Sequence, residues 1–462
     1  MDTPMRDVMA YIDAHGERSV GELVRWVEIP SISSSPEHKA DVRASADHLV
    51  RELERTRPDR VMVLPTAGHP AVFAEWRHAP GKPTLLVYGH HDVQPVDPLD
   101  AWQSPPFEPE IREGQLYGRG TVDDKGQVFI HAKAIEAFVE TGSRKLPVNV
   151  KLLVEGEEEI GSQHLADLLR DHAELFAADY VCVSDTAMYG RGIPSLCVGL
   201  RGLAYFEVVV RGPKADVHSG SFGGGIANPA NVLARMLSAL HDSEGRVSIP
   251  GFYDEVRDLR PSDRAEIASL EHDDATWLRA SGATRAVGEA GYSTLERIWA
   301  RPTLDVCGLT SGFQGPGSKT IIPATASAKV SCRLVPDQDP DVIGRLFEAH
   351  VRRIAPEGVE VDVEILSGGH PYLAPTDHPV YAAAKRAFSK AFGRETVFIR
   401  EGGSIPFVRT IADMTGKPCL LMGFGQPDEN SHAPNERLVL ENFHLGIKAA
   451  AYLYDELARL DG

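Results

Sequence analysis

The stretch Thr84–Pro95, "TLLVYGHHDVQP", joins an apolar run to two histidines and an aspartate. The unbroken apolar run is typical of a strand that is buried on both faces inside a parallel sheet. Side chains alternate along an extended chain, so His90 and Asp92 share one face and His91 takes the other. A histidine two residues before a carboxylate suits a metal ligand beside the acid that orients it. Two polar residues at a strand end explain the stretch equally well, so other residues must decide.

The sequence on either side of this stretch indicates an α/β domain. Strand patterns alternate with helical patterns up to about residue 200, which predicts a mostly parallel sheet with helices on both faces. The predicted strands are Val61–Pro65, Val72–Trp76, Thr84–Tyr88, Val148–Val154 and Tyr180–Val183. The predicted helices are Ala44–Arg55 and Gln127–Thr141. The same kind of strand and helix patterns occurs again later, in the helix Val380–Phe392 and the strand Cys419–Met422.

From Leu203 the pattern changes to strand, helix, strand, helix, strand, beginning with "LAYFEVVVRG" and including the alternating "ATASAKVSCRLVP". This order predicts a small α+β sandwich of ferredoxin-like type, interrupted by a polar, helix-prone segment at about residues 250–300. We therefore expect one α/β domain, formed by residues 1–202 and 373–462, into which residues 203–372 are inserted as a second domain.

Composition excludes several classes of partner. At 462 residues and 42% hydrophobic content the chain is long enough for two domains. A formal charge of -18 argues against nucleic acid and anionic membranes, which would repel it. The five cysteines lack metal-type spacing and are interpreted as reduced packing residues. The opening "MDTPMRDVMAYIDAHGERS" is a polar helix pattern without an apolar signal core, so a cytoplasmic protein is expected.

Acidic residues follow other predicted strands in the α/β part: "GRGTVDDKG", "EGEEEIGS" and "VSDT". Each has an ordinary explanation as a turn, a solvated first turn of a helix or a helix N-cap. Ligands, however, collect at the carboxyl ends of parallel strands, and carboxylates gathered there would repel one another unless cations lay between them. Histidines among the carboxylates favour zinc or another borderline transition metal over magnesium or calcium.

Eight motifs occur in the order shown by one family, over nearly the whole chain. They are "YGHHDVQP", "GRGTVDDKG", "EGEEEIGS", "VSDT", "HSGSFGGGIANP", "KTIIPATASAKVSCRLVP", "EGGSIP" and "SHAPNE". The chain resembles the co-catalytic di-zinc metallopeptidases, which include cytosolic non-specific dipeptidase, carnosinase, aminoacylase and succinyl-diaminopimelate desuccinylase, and it is closest to the dipeptidase branch. The resemblance implies a zinc-peptidase-like three-layer catalytic domain with a ferredoxin-like lid and dimerisation domain.

The resemblance also implies two divalent metal ions, zinc by preference with manganese or cobalt as alternatives, that share a hydroxide. The ligands of the first ion would be His90, Asp123 and Asp185. The ligands of the second ion would be Asp123, Glu159 and His432, with Asp123 bridging. A cis peptide bond is implied after Asp123.

Three residues around these ligands receive roles from the same resemblance. Glu158 stands at the family's general-base position, where it would take a proton from water and pass it to the leaving amine. Asp92 matches the residue that orients His90, and His91 is interpreted as a residue that either supports the ligands from behind or stabilises the fold. The opening stretch would therefore contain one ligand histidine rather than two.

On the substrate side, four residues would be ordinary loop or strand residues without the motifs that contain them. By resemblance, His218 reaches across from a partner subunit to stabilise the oxyanion, which implies a homodimer. Arg333 would clamp the substrate's terminal carboxylate, a bidentate task suited to guanidinium. Thr320 and Ser404 match further contacts on the carboxylate side.

The leading hypothesis is a broad-specificity metallodipeptidase. Asp185 supports it, since relatives with glutamate at this position tend to be carboxypeptidases or acyl-amino-acid hydrolases. Thr186, Ala433 and Pro434 depart from the branch's usual residues beside the ligands, which leaves the substrate preference open. The alternatives are an amidohydrolase acting on N-acyl or N-succinyl amino acids, and an inactive binding protein. Inactive relatives typically lose a ligand or the base, whereas this chain has the complete set.

Overall fold

The computed structural model describes residues 3–141, 145–403 and 405–460, which form two compact units. The first unit contains Met1–Val198, Ala374–Ile399 and Pro406–Gly462. The second contains Gly199–Leu373 and the short segment Arg400–Ile405. The division of the chain into domains at residues 203 and 372 stays a prediction. The second compact unit also contains the segment Arg400–Ile405, which the sequence had placed in the first domain.

The helices and strands of the described residues are numbered in chain order. The helices are α1 (Thr3–Ala14), α2 (Gly16–Val27), α3 (Lys39–Glu54), α4 (Lys125–Glu140), α5 (Leu165–Asp171), α6 (Ala173–Phe176), α7 (Ser219–Phe222), α8 (Pro229–Ser238), α9 (Pro261–Ala268), α10 (Asp274–Ser281), α11 (Thr294–Ala300), α12 (Pro340–Ile354), α13 (Pro379–Phe392), α14 (Pro406–Thr415) and α15 (Leu440–Leu457). The strands are β1 (Arg60–Leu64), β2 (Ala71–Trp76), β3 (Thr84–His90), β4 (Glu110–Arg112), β5 (Gln115–Tyr117), β6 (Asn149–Glu155), β7 (Tyr180–Val183), β8 (Ser195–Leu200), β9 (Gly202–Arg211), β10 (Val217–His218), β11 (Thr303–Ser311), β12 (Ile321–Ile322), β13 (Thr325–Leu334), β14 (Glu360–Gly369), β15 (Tyr372–Leu373), β16 (Val397–Glu401), β17 (Cys419–Leu421) and β18 (Arg437–Val439).

The large sheet of the first unit is parallel at its centre and antiparallel at its sides. Strands β6, β3, β7 and β17 are parallel neighbours, whereas β1, β2 and β8 join them in antiparallel pairs. The α/β class expected from the sequence is confirmed, with a mixed sheet. The short connection between β1 and β2 allows only an antiparallel hairpin, because parallel neighbours need a long crossover.

Strand β3 lies at the centre of this sheet, and Leu85, Leu86, Val87 and Tyr88 are almost completely buried. Helix α4 is buried on nearly every face, which its mostly apolar sequence permits. The predicted burial of the "TLLVY" run on both faces is therefore correct. This buried strand places His90, its last residue, at the edge of the sheet.

The second unit contains a four-stranded antiparallel sheet in the order β11-β13-β9-β14, connected as in ferredoxin-like folds. Helices α8 and α12 cover one face, where Phe206 stacks on Phe347 with ring centroids 4.1 Å apart. Strand β11 was not predicted, because its exposed and half-buried residues lack the alternation that marks the other strands. The polar segment before it contains α9, α10 and α11, as its composition suggested.

Two smaller expectations need correction. The N-terminal pattern predicted one helix, but the chain forms α1 and α2, separated at His15, whose backbone is not helical. Among the cysteines, which are all free, Cys307 is exposed rather than packed, because β11 presents it on the open face of its sheet. In the part of the chain that is described, no helix has the length and apolar character needed to cross a bilayer.

The glycines supply a test of the packing in the first unit. A Cβ atom on Gly423 would lie 1.8 Å from the backbone oxygen of Thr186, whereas one on Gly21 in α2 would meet nothing within 4 Å. We expect Gly423→Ala to lower the free energy of unfolding by about 1–3 kcal/mol through overpacking. Gly21→Ala is the matched control and should raise it by about 0.5–1 kcal/mol. Equal effects in thermal or urea unfolding would contradict this packing.

Candidate metal centre

Parallel strands bring the predicted ligands to one edge of the first unit's sheet. His90 is the last residue of β3 and pairs in register with Glu155, the last residue of β6. The chain after β6 turns into a 3₁₀ helix, Glu158–Ile160, and Asp185 follows β7 on the other side of β3. Because the carboxyl ends of parallel strands open onto one crevice, residues far apart in sequence converge there.

Asp123 lies between two histidines and contacts each with a different carboxylate oxygen. Its Oδ1 is 3.1 Å from Nε2 of His90, and its Oδ2 is 2.9 Å from Nε2 of His432. Oδ1 of Asp185 is 3.7 Å from the same His90 nitrogen, and Oε2 of Glu159 is 3.2 Å from the same His432 nitrogen. Asp123 thus stands between two groups of candidate metal ligands and contacts a histidine of each group.

The ligand atoms fall into two groups with a common member. His90, Asp123 and Asp185 form one, and Asp123, Glu159 and His432 form the other, with the ligand atoms of each group within 4.8 Å of one another. These are the two sets that the resemblance implied. The peptide bond between Asp123 and Asp124 is cis, again as implied.

Asp92 holds two parts of this centre together. On the side of the ring away from Asp123, Nδ1 of His90 is hydrogen-bonded to the backbone carbonyl oxygen of Asp92 at 3.1 Å, and Oδ1 of Asp92 lies 3.4 Å from the same nitrogen. Its carboxylate also accepts backbone hydrogen bonds from Glu158 (3.2 Å) and Glu159 (3.1 Å). One buried acid therefore orients the His90 ring and fixes the turn that carries the predicted base and a ligand.

Burial and mutual repulsion dominate the electrostatics of the acids. Burial, followed by the charge of Asp185, raises the pKa of Glu158 to about 9. Burial likewise raises the pKa of Glu159 and of Asp185. Burial acts in the same direction on Asp123, but His432 and His90 outweigh it and hold the pKa of Asp123 well below its usual range. Only Asp123, which contacts both histidines, therefore ionises readily, whereas Glu158, Glu159 and Asp185 resist ionisation.

The histidines show the opposite response. Burial by itself lowers the pKa of His90, but contacts with Asp123 and Asp185 raise that pKa well above its ordinary value. Contacts with Asp123 and Glu159 raise the pKa of His432 to about 10. A metal ion needs neutral imidazole, so metal binding at this centre releases protons and weakens as the pH falls.

The donor set fits divalent cations. Among the described residues of the crevice, the carboxylates of Asp123, Asp185, Glu158 and Glu159 outnumber the two histidines. An uncompensated group of buried carboxylates is costly, and cations between them remove that cost. Imidazole together with carboxylate oxygen is a ligand combination that zinc and similar ions accept.

His91 faces away from this centre. Its side chain is fully buried, and Nε2 lies 2.9 Å from the carbonyl oxygen of Pro70. Burial lowers the pKa of His91 to about 4, so the ring is neutral at physiological pH. It packs against the hairpin side of the sheet, in agreement with the structural role proposed for it.

The loop that carries His432 adopts an uncommon backbone conformation. Asn430, His432 and Asn435 all have left-handed φ values, 59°, 62° and 62°. Non-glycine residues seldom adopt this conformation, and such strain is often found at functional sites. Ala433 donates its backbone N–H to the carbonyl oxygen of Asn430 at 2.9 Å, and this turn directs the half-exposed His432 ring toward Asp123.

Thr186, which departs from the family pattern as Ala433 and Pro434 do, follows Asp185 directly. Its Oγ1 is buried and has no hydrogen-bond partner among the described residues. Its backbone oxygen lies so close to Gly423 that only glycine fits there. Thr186 therefore packs tightly against the strand end β17, behind Asp185.

Glu436 was not singled out from the sequence, although it ends the "SHAPNE" motif. It is fully buried, and one carboxylate oxygen accepts the backbone N–H groups of Val122 (3.0 Å) and Asp123 (3.1 Å). The other accepts the N–H of Gly120 (3.0 Å) and Nη1 of Arg119 (2.7 Å). Glu436 thus ties the loop of the bridging aspartate to the loop of His432.

The predicted substrate residues belong to the second unit. His218 ends β10 and is exposed; its Nδ1 accepts the backbone N–H of Gly220 at 3.0 Å. A neutral His218 must therefore carry its proton on Nε2, which leaves that nitrogen as a donor. Thr320 lies beside it, since its carbonyl oxygen accepts the N–H of Ser219 at 3.0 Å. Arg333 lies in β13, and Ser404 lies outside the described residues.

The role of Glu436 can be tested by Glu436→Gln. The amide nitrogen of glutamine would face N–H donors in either orientation, so the Asp123 loop should loosen and metal affinity should fall by about 10–100-fold. Competition of the protein with a metal-binding dye measures that affinity directly. Asp428→Asn is the matched control, because Asp428 lies in the same stretch of chain but is exposed. Unchanged affinity for Glu436→Gln, or equal losses for both variants, would contradict the assignment.

Comparison with known proteins agrees with this geometry. Residues 86–456 match the model of peptidase family M20/M25/M40. The Cys-Gly metallodipeptidase dug1 of Schizosaccharomyces pombe is 35% identical over 464 residues, which cover 97% of each chain. The crystal structure of human carnosine dipeptidase 1 has a TM-score of 0.85 and 31% identity, and covers 99% of this chain and 100% of its own.

A second solved structure is about as similar. The M20 family metallo-carboxypeptidase Sso-CP2 of Sulfolobus solfataricus has a TM-score of 0.84 and 32% identity, and the match covers 96% of this chain and 99% of that one. The family match covers far more than half of the chain, and the relatives match nearly all of it. The chain therefore belongs to peptidase family M20/M25/M40 and is a hydrolase of peptide bonds, as the resemblance implied.

Proposed function

We propose that the protein is a broad-specificity metallodipeptidase whose first unit carries a two-metal centre. The observation that supports this most directly is the position of Asp123, whose two carboxylate oxygens contact His90 and His432 separately. Relatives named as Cys-Gly metallodipeptidase and Beta-Ala-His dipeptidase match at least 97% of the chain at 30% identity or more, which supports dipeptides as the substrate class.

The proposed metal ligands are His90, Asp123, Asp185, Glu159 and His432. Two divalent ions held there would supply Lewis acidity and lower the pKa of water at neutral pH. Zinc is the proposed metal because the ligands mix imidazole with carboxylate; manganese and cobalt accept the same set.

Glu158 is the proposed general base. Burial, followed by the negative charge of Asp185, raises the pKa of its carboxyl group to about 9. Cations in the crevice would reverse that effect and lower this pKa toward neutrality. Glu158 would then take a proton from water and give it to the nitrogen of the leaving amine.

We further propose a cytoplasmic homodimer in which the partner subunit completes the site. The exposed His218 carries its neutral proton on Nε2 and can donate it to a carbonyl oxygen that becomes negatively charged. Arg333, with Thr320 and Ser404, would bind the terminal carboxylate of the dipeptide. The cytoplasmic assignment rests on the five free cysteines, which a reducing compartment preserves.

A substrate panel tests the activity. We expect the zinc, manganese or cobalt form to hydrolyse dipeptides with free amino groups, including Cys-Gly and β-alanyl dipeptides. Turnover should stop on exhaustive chelation and return when metal is restored. The N-acetyl and N-succinyl forms of the same amino acids are the comparison substrates, and tripeptides test for carboxypeptidase activity. Faster hydrolysis of blocked amines would overturn the dipeptidase proposal, as would full turnover without metal.

Glu158→Gln should lower kcat by about 100–10,000-fold, because the variant keeps the shape of the side chain but cannot accept a proton. Metal content, measured on the same samples by mass spectrometry, should stay at the wild-type value. A variant with full kcat would exclude Glu158 as the base. A variant that loses the metals would make Glu158 a ligand instead.

Action of His218 in trans predicts complementation between two inactive variants. Each of His218→Ala and Glu158→Gln should lose most activity as a homodimer while keeping its metals. Mixed dimers contain one site with both an intact Glu158 and an intact partner histidine, so refolding the two variants together should recover about a quarter of wild-type activity under random pairing. No recovery in dimers that are shown to be mixed would place His218 in its own subunit's chemistry or in none.

A further inference from the structure

Glu157 is the first of the three consecutive glutamates in "EGEEEIGS", and its partners differ from those of the two that follow it. The residue is buried, and among the described residues it belongs to neither group of candidate metal ligands. Its carbonyl oxygen accepts the N–H groups of Ile160 at 3.2 Å and Ser162 at 2.8 Å. Glu157 therefore begins the turn that carries Glu158 and Glu159. A buried carboxylate is costly unless it is paired or hydrogen-bonded, so the partners of this side chain indicate its role.

The carboxylate of Glu157 binds the loop between β1 and β2, residues 65–70, which we call the hairpin loop. One oxygen, Oε1, accepts the backbone N–H of His69 at 3.1 Å. Nδ1 of His164, the residue before α5, lies 2.9 Å from Oε2 and 3.1 Å from Oε1. An ionised carboxylate only accepts hydrogen bonds, so this nitrogen carries the proton and donates it. Glu157 therefore joins the hairpin loop to the start of α5.

The hairpin loop approaches so closely that only glycine fits beside this carboxylate. A Cβ atom on Gly68 would lie 1.7 Å from Oε1 of Glu157. The loop also contacts the residue before Glu157, since a Cβ atom on Gly156 would lie 2.8 Å from the carbonyl oxygen of Pro70. The same carbonyl oxygen is 2.9 Å from Nε2 of His91. His91 and Glu157 therefore hold the hairpin loop at two neighbouring residues.

The position of Glu158 depends on this turn more than that of Glu159 does. The carboxylate of Glu158 makes no hydrogen bond with a described residue, so the turn sets its position. The side chain of Glu159 has a support of its own, because Nε2 of Gln94 donates to its Oε2 at 2.7 Å. A looser turn is therefore expected to displace Glu158 first. Displacing a reacting group by about 1 Å lowers a rate by up to about 100-fold.

We propose that Glu157 is a positioning residue: by clamping the turn to the hairpin loop, it holds the carboxylate of Glu158 where a proton is taken from water. This role rests on the proposed function for one point, namely that Glu158 is the general base. Asp92 fixes the turn through the N–H groups of Glu158 and Glu159, and Glu157 fixes it through the hairpin loop. The three consecutive glutamates thus have three different tasks.

The variants Glu157→Met and Glu157→Gln separate the hydrogen bonds of the side chain from its bulk. Methionine has a similar length but replaces neither hydrogen bond, so kcat for the dipeptide Ala-Gly should fall by about 10–100-fold while KM stays within about threefold. Glutamine keeps an oxygen for the N–H of His69, and its amide can donate to Nδ1 of a neutral His164 whose proton is on Nε2. This variant should keep kcat within about threefold of wild type.

Gly68→Ala breaks the same contact from the other side. The added methyl group must displace the carboxylate, so kcat should fall as in Glu157→Met. Glu75→Met is the matched control, because Glu75 lies in β2 of the same hairpin, is buried and pairs with Arg60 at 3.3 Å. It should lower the melting temperature as Glu157→Met does but leave kcat unchanged. A loss of kcat in Glu75→Met, or wild-type kcat in both Glu157→Met and Gly68→Ala, would overturn the proposal.

Action through Glu158 predicts losses that are not additive. The base is absent from Glu158→Gln, so adding Glu157→Met should lower the residual kcat by less than about threefold. A further loss as large as that in the wild-type background would place the effect elsewhere and exclude the proposed role. Metal content, measured on the same samples, should equal that of wild type. Loss of metal in Glu157→Met would make Glu157 a support of the ligands instead.

Hydrogen exchange separates this role from the proposed function. In the metal-loaded protein, the N–H groups of residues 158–162 should exchange at least about tenfold faster in Glu157→Met than in wild type. They should exchange at the wild-type rate in Glu157→Gln and Glu75→Met. If wild type does not hydrolyse dipeptides but this difference is present, the clamp stands and the proposed function fails. If dipeptides are hydrolysed and neither kcat nor the exchange rate changes, Glu157 is excluded.

Discussion

The carboxylates of Asp123, Asp185, Glu158 and Glu159 meet in a crevice where little water reaches them, and their repulsion is the constraint on which the first unit depends. Burial raises the pKa of the three acids other than Asp123, and only Asp123, between two histidines, stays well below its usual range. Folding alone would not favour such an arrangement. It becomes favourable when divalent cations share the site, so metal binding and the folding of these loops are expected to be coupled.

The mutually repelling carboxylates stay in place only if the backbone that carries them is fixed. Two other buried acids, Asp92 and Glu436, fix that backbone. Asp92 receives the N–H groups of the turn that carries Glu158 and Glu159, and Glu436 receives those of the Asp123 loop. Both acids accept hydrogen bonds from backbone N–H groups, and Glu436 also pairs with the guanidinium of Arg119. The ligand atoms therefore reach a common point although they come from five separate segments of the chain.

The sequence by itself determined the central strands, because an apolar run such as Leu85–Tyr88 has no stable place outside a buried sheet. It also predicted the two groups of candidate metal ligands, since the ordered motifs belong to one family, and the folded chain brings the members of each group together. The sequence did not reveal β11, because the exposed residues of this strand show no alternation of apolar and polar side chains. It also did not reveal the break between α1 and α2. Only the tertiary structure decided the role of Glu436. This residue acts on Asp123 across more than 300 residues of chain. Its role depends on where the folded chain brings groups together in space, which no local pattern of residues records.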